Sequence, residues 1–133
     1  MNVTKKHQYG LSAMVYLGFD FEKGPVQLRQ ISQRANIPHA FLEQLMLDLK
    51  KSGLVKSTRG AKGGYQLALS PHDISVQAIF SAIDPLKCDA SHSDSLAFFW
   101  SQLNSHVNHF FNVPLQTLLE DVLNKQKVLV YSI

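Results

Sequence analysis

The stretch that most restricts this chain lies between residues 28 and 69, where two short helical patterns and a glycine-rich hairpin follow one another with almost no connecting sequence. Residues 28–34 read as a short helix that turns Ile31 and Ala35 inward. Asn36 suits a left-handed turn, and Pro38 fits the first turn of the next helix, where its missing N–H costs nothing. That second helix runs to about residue 52 and stops at Gly53. Phe41, Leu42, Leu45, Met46 and Leu49 form its apolar face, while His39, Ala40, Glu43, Gln44, Leu47 and Asp48 lie mostly away from it. Residues 54–58 and 65–69 then read as strands. They are joined by Arg59-Gly60-Ala61-Lys62-Gly63-Gly64, whose glycines supply positive-φ turn positions. Two helices joined by a tight turn make a helix-turn-helix, and a hairpin directly behind it makes a wing.

The flanking segments complete a mainly helical chain. Residues 5–18 form a helix with Thr4 as its N-cap and a stripe of Tyr9, Ala13, Tyr16 and Leu17, ended by Glu22-Lys23-Gly24-Pro25. Beyond Ser70-Pro71, residues 74–83 are amphipathic, 84–93 form a polar loop holding Cys88 and His92, and 95–111 make the longest remaining helix. Phe98, Phe99, Leu103, Val107, Phe110 and Phe111 give that helix a wide apolar surface. Pro114 interrupts, and residues 115–123 form a last short helix. So small a chain has little core left to cover the aromatic helix, and its simplest partner is the same helix of a second copy. Phe99, Leu103, Val107 and Phe110 are the expected dimer contacts. The expected fold class is mainly α with a small β-hairpin: a winged helix-turn-helix plus a long dimerisation helix. Residues 1–72 would form the winged helix-turn-helix, a DNA-binding unit, and 73–133 the polar loop and helical dimerisation region, all in one compact unit.

Composition narrows the function classes. A chain of 133 residues fits one folding unit with a substantial core. It has no apolar run of about eighteen residues and no secretory core near Met1, so neither a membrane span nor export is expected. The single cysteine, Cys88, excludes an internal disulfide and fits a reducing cytoplasm. Charge is divided: residues 1–64 hold ten Lys/Arg against four acids, whereas residues 65–133 hold three against six. A basic front half suggests a polyanionic partner, with a merely solvated surface as the alternative.

The glycine-rich loop at 60–64 is not a phosphate cradle. A P-loop needs four residues between its first glycine and a Gly-Lys-Ser/Thr, and a dinucleotide fingerprint needs a following helix; here a strand beginning at Tyr65 follows. A plain surface hairpin and a DNA-contacting wing remain. Arg59 and Lys62 at the tip favour the wing, since both neutralise phosphates and arginine suits a narrow minor groove. On the second helix, Gln44 matches adenine bidentately and Glu43 accepts from cytosine N4, the plainer alternative being solvated helix residues. The expected DNA-contacting set is Lys5, His39, Ala40, Glu43, Gln44, Arg59, Lys62 and Gly63. His106 and His109, three apart on the long helix, read as interface polar residues or as a metal pair. No Ser/His/Asp order, paired-carboxylate motif or zinc signature is present.

The segments Gln27-Leu28-Arg29-Gln30-Ile31-Ser32, Phe41-Leu42-Glu43-Gln44-Leu45, Ser52-Gly53-Leu54-Val55 and Arg59-Gly60-Ala61-Lys62-Gly63-Gly64-Tyr65-Gln66-Leu67 resemble the signature of the IscR/NsrR/CymR regulators, the Rrf-two family. Ile74-Ser75-Val76, Trp100 and the Pro114-Leu115 helix continue the resemblance more loosely across nearly the whole chain. It implies a dimer with crossed long helices and a winged helix-turn-helix at each end, with Glu43 and Gln44 in the major groove and Arg59 in the minor groove. It also implies control of genes for iron–sulfur assembly, nitrosative stress or sulfur metabolism, and makes the polar loop within 73–133 a sensor. Many relatives hold an iron–sulfur cluster through three cysteines before the dimer helix. This chain departs there, keeping only Cys88, with Asp94 where counting back from Trp100 would put a later cysteine.

A cluster normally needs four protein ligands, mostly thiolates. Cys88 and His92 supply two per chain, so a cluster would have to be shared across the dimer, with His7 as a further ligand. An idle thiol, a shared cluster and a thiol redox sensor stand as readings of Cys88, with no cofactor as the expectation. The reading as a whole is a cytoplasmic, homodimeric regulator that binds double-stranded operator DNA as a repressor, without catalysis. Control by a partner protein or small molecule is its rival, and a small enzyme with Cys88 as nucleophile is the alternative from another class.

Overall fold

The computed structural model describes residues 2–86 and 95–131, so Cys88, His92 and Asp94 lie outside the described residues. Helix α1 (Lys5–Phe19) is the central element, against which four of the other five helices and the second strand of the hairpin pack. Its buried face comprises His7, Gly10, Ala13, Met14, Leu17 and Gly18, while Tyr9 and Tyr16 are only half-buried. Helices α2 (Leu28–Ala35) and α3 (His39–Lys51) follow, separated by Asn36 in the left-handed conformation (φ 54°, ψ 51°). Asn36 is one of the few residue types that takes this conformation at low cost. Pro38 sits one position earlier than expected, as the N-cap of α3 rather than inside its first turn. Gly53 (φ 77°) closes α3, and the Leu54 N–H returns to the Leu49 carbonyl. Leu42, Leu45, Met46 and Leu49 are buried, as the spacing of the apolar residues predicts.

Strands β1 (Val55–Thr58) and β2 (Gly64–Leu67) pair antiparallel, with Val55 opposite Leu67 and Thr58 opposite Gly64. The chain between α1 and α2 adds a third edge. Val26 and Tyr65 exchange both backbone hydrogen bonds at 2.8 Å, docking the hairpin against the loop that leads into α2. A short 3-10 turn (Pro71–Asp73) leads to α4 (Val76–Ile83), which starts two residues later than the apolar pattern because Ser75 is its N-cap, accepting from the Ala78 N–H at 3.0 Å.

Helix α5 (Ala97–Phe111) contains no buried residue and is held mainly through α4, where the Phe80 and Phe111 rings lie 4.9 Å apart. Helix α6 (Leu115–Tyr131) buries Leu115 and Leu119 in the common core beside α1. It is longer than α5 and far longer than the expected 115–123 segment: the apolar stripe weakens after Leu123, but neither glycine nor proline stands between there and Tyr131. No helix among the described residues is long and apolar enough to cross a membrane.

Candidate nucleic-acid interface

Burying one face of α3 turns the other to solvent. His39, Ala40, Glu43, Gln44 and Leu47 are exposed and Asp48 is half-buried. Two side-chain pairs one helical turn apart lie on this face. His39 Nδ1 is 3.6 Å from Glu43 Oε1, and Gln44 Nε2 donates to Asp48 Oδ1 at 3.3 Å. Both pairs escaped the sequence reading, although their i,i+4 spacing is the signal that would have found them.

The hairpin tip is built by its glycines. Gly60 has φ +112°, and the Gly63 N–H donates to the Gly60 carbonyl at 3.0 Å, folding the tip into a tight turn. A Cβ on Gly63 would stand 2.1 Å from the Thr58 carbonyl oxygen. One on Gly64, at φ +147°, would stand 2.3 Å from the Val26 oxygen, so neither position admits a side chain without moving backbone. The Gln27 side chain also reaches the Ala61 carbonyl at 3.4 Å, tying the tip to the entry of α2. Arg59 and Lys62 project from this fixed turn and are exposed.

Lys5 is joined to α3 by rings. Its Nζ lies 5.6 Å from the centre of the Tyr9 ring, which meets Phe41 of α3 edge-on at 5.3 Å. Seven of the eight expected DNA residues therefore occupy three solvent-facing places: the polar face of α3, the hairpin tip and the first turn of α1. Gly63 is the exception: it is buried, and its N–H is spent on the Gly60 carbonyl, so its part is to shape the turn.

His7 departs from its expected role as a metal ligand. It is 1% exposed, and both ring nitrogens are engaged. The Thr4 backbone N–H donates to Nδ1 at 3.0 Å, in the place a Glu or Gln takes in a capping box, with the Thr4 hydroxyl 3.1 Å from the same nitrogen. That acceptor role leaves the proton on Nε2, which donates to the Asp84 carbonyl at 2.7 Å. The ring also stacks on Phe80, with centroids 4.9 Å apart. No nitrogen is left to bind a metal. Among the described residues no group of three His, Cys, Asp or Glu side chains could hold a metal ion, and His106 and His109 both face solvent.

A helix-turn-helix with a solvent-facing polar second helix and a glycine-built basic hairpin behind it defines a winged helix-turn-helix DNA-binding protein. Comparison with known proteins narrows the class. Residues 3–128 match the model of the Rrf2 family, described as iron-dependent transcriptional regulators. The chain is 35% identical to the HTH-type transcriptional regulator IscR of Aliivibrio salmonicida, over 91% of this chain and 79% of that protein. Among solved structures it is similar to T. potens IscR (36% identity, TM-score 0.79, covering 92% of this chain and 88% of that one). It is also similar to CymR, the global cysteine regulator of B. subtilis (30% identity, TM-score 0.81, covering 90% and 97%). The chain belongs to the Rrf2 family. It is a transcription regulator and not an enzyme, which sets aside the Cys88-nucleophile alternative.

Proposed function

We propose that the protein is a homodimeric, sequence-specific repressor acting on operator DNA in the cytoplasm, with residues 1–72 binding DNA and 73–133 carrying sensing and dimerisation. The observation that carries this reading is the exposed polar face of α3 beside a basic wing that its glycines hold in one shape. In this arrangement α3 enters the major groove. Glu43 and Gln44 meet base edges, and His39 and Ala40 lie at the helix N-terminus, nearest the DNA backbone. Arg59 enters the minor groove, while Lys5 and Lys62 contact phosphates. Phe99, Leu103 and Phe110 of α5 meet their counterparts in a second copy, because they are exposed and no residue of α5 is fully buried within its own chain; Val107, half-buried beside α4, lies at the edge of that contact.

The residues present do not fit an iron–sulfur cluster within one chain. There is one thiol, and His7 has both nitrogens committed to the protein. We therefore assign no cofactor, and control falls to a small molecule, a partner protein or the redox state of Cys88, with sulfur status favoured by the likeness to CymR. Iron and sulfide analysis of protein purified without oxygen, wild type beside Cys88→Ser, should find neither in stoichiometric amount. A brown wild-type protein whose colour is lost in Cys88→Ser would instead establish a cluster completed by the partner.

Selection from a randomised double-stranded DNA library tests the main reading. The enriched sites should be palindromic, with half-sites one or two helical turns apart. Absence of any enriched site, or enrichment of a single half-site only, would overturn it.

A further inference from the structure

We propose that Asp48 is a positioning residue that fixes which base Gln44 reads. The proposal rests on α3 being the base-contacting helix and concerns one hydrogen bond on its exposed face, from Gln44 Nε2 to Asp48 Oδ1 at 3.3 Å. A glutamine amide has an acceptor at one corner and a two-proton donor at the other. Rotated by half a turn it has nearly the same shape but presents donor and acceptor in reversed order. An unrestrained glutamine is therefore an ambiguous reader, and it loses rotamer freedom when it docks.

Asp48 removes the ambiguity. An ionised carboxylate only accepts, so the reversed amide would set Oε1 against a carboxylate oxygen. In the retained orientation one Nε2–H is spent on Asp48, leaving the second Nε2–H and Oε1 side by side. That donor–acceptor pair matches N7 and N6–H₂ of adenine. Guanine shows two acceptors, O6 and N7, and so repels Oε1 while satisfying the donor. The backbone that carries the Asp48 side chain is fixed, because Leu45 and Leu49 of the same helix are buried and the Asp48 carbonyl accepts the Ser52 N–H at the helix end. Asp48 is itself an anion and is a poor phosphate contact. Its contribution to binding is made through Gln44.

The test compares wild type, Gln44→Ala, Asp48→Ala and Asp48→Asn on a randomised double-stranded DNA library, sequencing bound and free fractions at equilibrium, with thermal unfolding of each protein alongside. Gln44→Ala should flatten the preference at one A·T pair per half-site. Asp48→Ala should reduce the adenine-over-guanine preference at that same pair by about two- to tenfold, the range expected for ordering one rotamer-rich side chain. Asp48→Asn offers a donor as well as an acceptor, so it satisfies either orientation of the Gln44 amide and should lose preference as Asp48→Ala does; full preference in this variant would also overturn the proposal. A full preference in Asp48→Ala beside a flattened one in Gln44→Ala would overturn the proposal and leave the interface reading standing. A uniform change in affinity across all sequences would overturn it too, showing an electrostatic role only. Base preferences untouched by Gln44→Ala would overturn both.

Discussion

His7 shows how a residue with metal-binding chemistry is consumed by the fold. Its Nδ1 completes the cap of α1 and its Nε2–H holds the Asp84 carbonyl, where the chain leaves α4. His7→Ala would strand both partners, and a part-buried polar group left without its partner costs about 1–3 kcal/mol. Chemical denaturation of the variant should show that loss with an unchanged m-value; an unchanged midpoint would mean that water replaces the ring at no cost. On the proposed reading, Arg59 and Lys62 should separate two kinds of DNA contact on the same hairpin tip. Arg59→Ala should weaken specific binding by about 1–3 kcal/mol and relax the A·T preference at the flank. Lys62→Ala should weaken all sequences alike and lower the salt slope by about one unit. Equal losses on specific and random DNA for both variants would reduce Arg59 to a phosphate contact.

At the scale of elements, the wing is a three-edged structure rather than a free hairpin, because Val26 pairs with Tyr65 and closes on Gly64. Gly64→Ala would place a methyl group against the Val26 carbonyl at a backbone angle costly for any other residue. It should cost about 1–3 kcal/mol in stability and lower affinity for every DNA sequence, as the tip shifts. Amide exchange at Val26 and Tyr65 would report the opened bridge; retained protection there would show that the loop adapts instead. Neither the Val26 bridge nor the His7–Asp84 bond was legible in the sequence, since each joins distant segments and neither leaves a local pattern. Helix α3 was legible because its leucines, Asn36 and Gly53 all state the same boundaries, and the expected polar face followed directly. The end of α6 was misjudged because the four polar residues 124–127 interrupt the apolar pattern without a glycine or proline to break the helix. For the candidate site, residue types and spacing suggested a wing and a reading helix. The Gln44–Asp48 pair was open to its i,i+4 spacing and was passed over, whereas the occupation of His7 was hidden because its partner Asp84 is 77 residues away.

For the whole molecule, the aromatic side of α5 is the feature a lone chain leaves unresolved. Phe98, Phe99, Leu103 and Phe110 are 65%, 48%, 38% and 73% exposed, and Leu123 of the neighbouring α6 is 46% exposed. Clustered apolar surface of this kind is uncommon on soluble monomers and marks an interaction surface. A two-fold pairing of α5 with its own copy satisfies it without a second complementary sequence, since a two-fold interface uses one patch twice. Each half-site binds more tightly when its twin is tethered, so dimerisation and operator affinity should fail together. Phe110→Asp places a charge in the most exposed part of this surface, where it costs little in a monomer and would be buried twice over in a dimer. Sedimentation of wild type at micromolar concentration should give about twice the 14.9 kDa chain mass, and the variant should give the chain mass alone. Its thermal midpoint should lose the rise with protein concentration that the wild type shows, because only an associating fold is stabilised by mass action. Operator binding should fall to the level of a single half-site, while affinity for random DNA declines less. A Phe110→Asp protein that stays dimeric and binds its operator normally would move the two-fold interface away from α5.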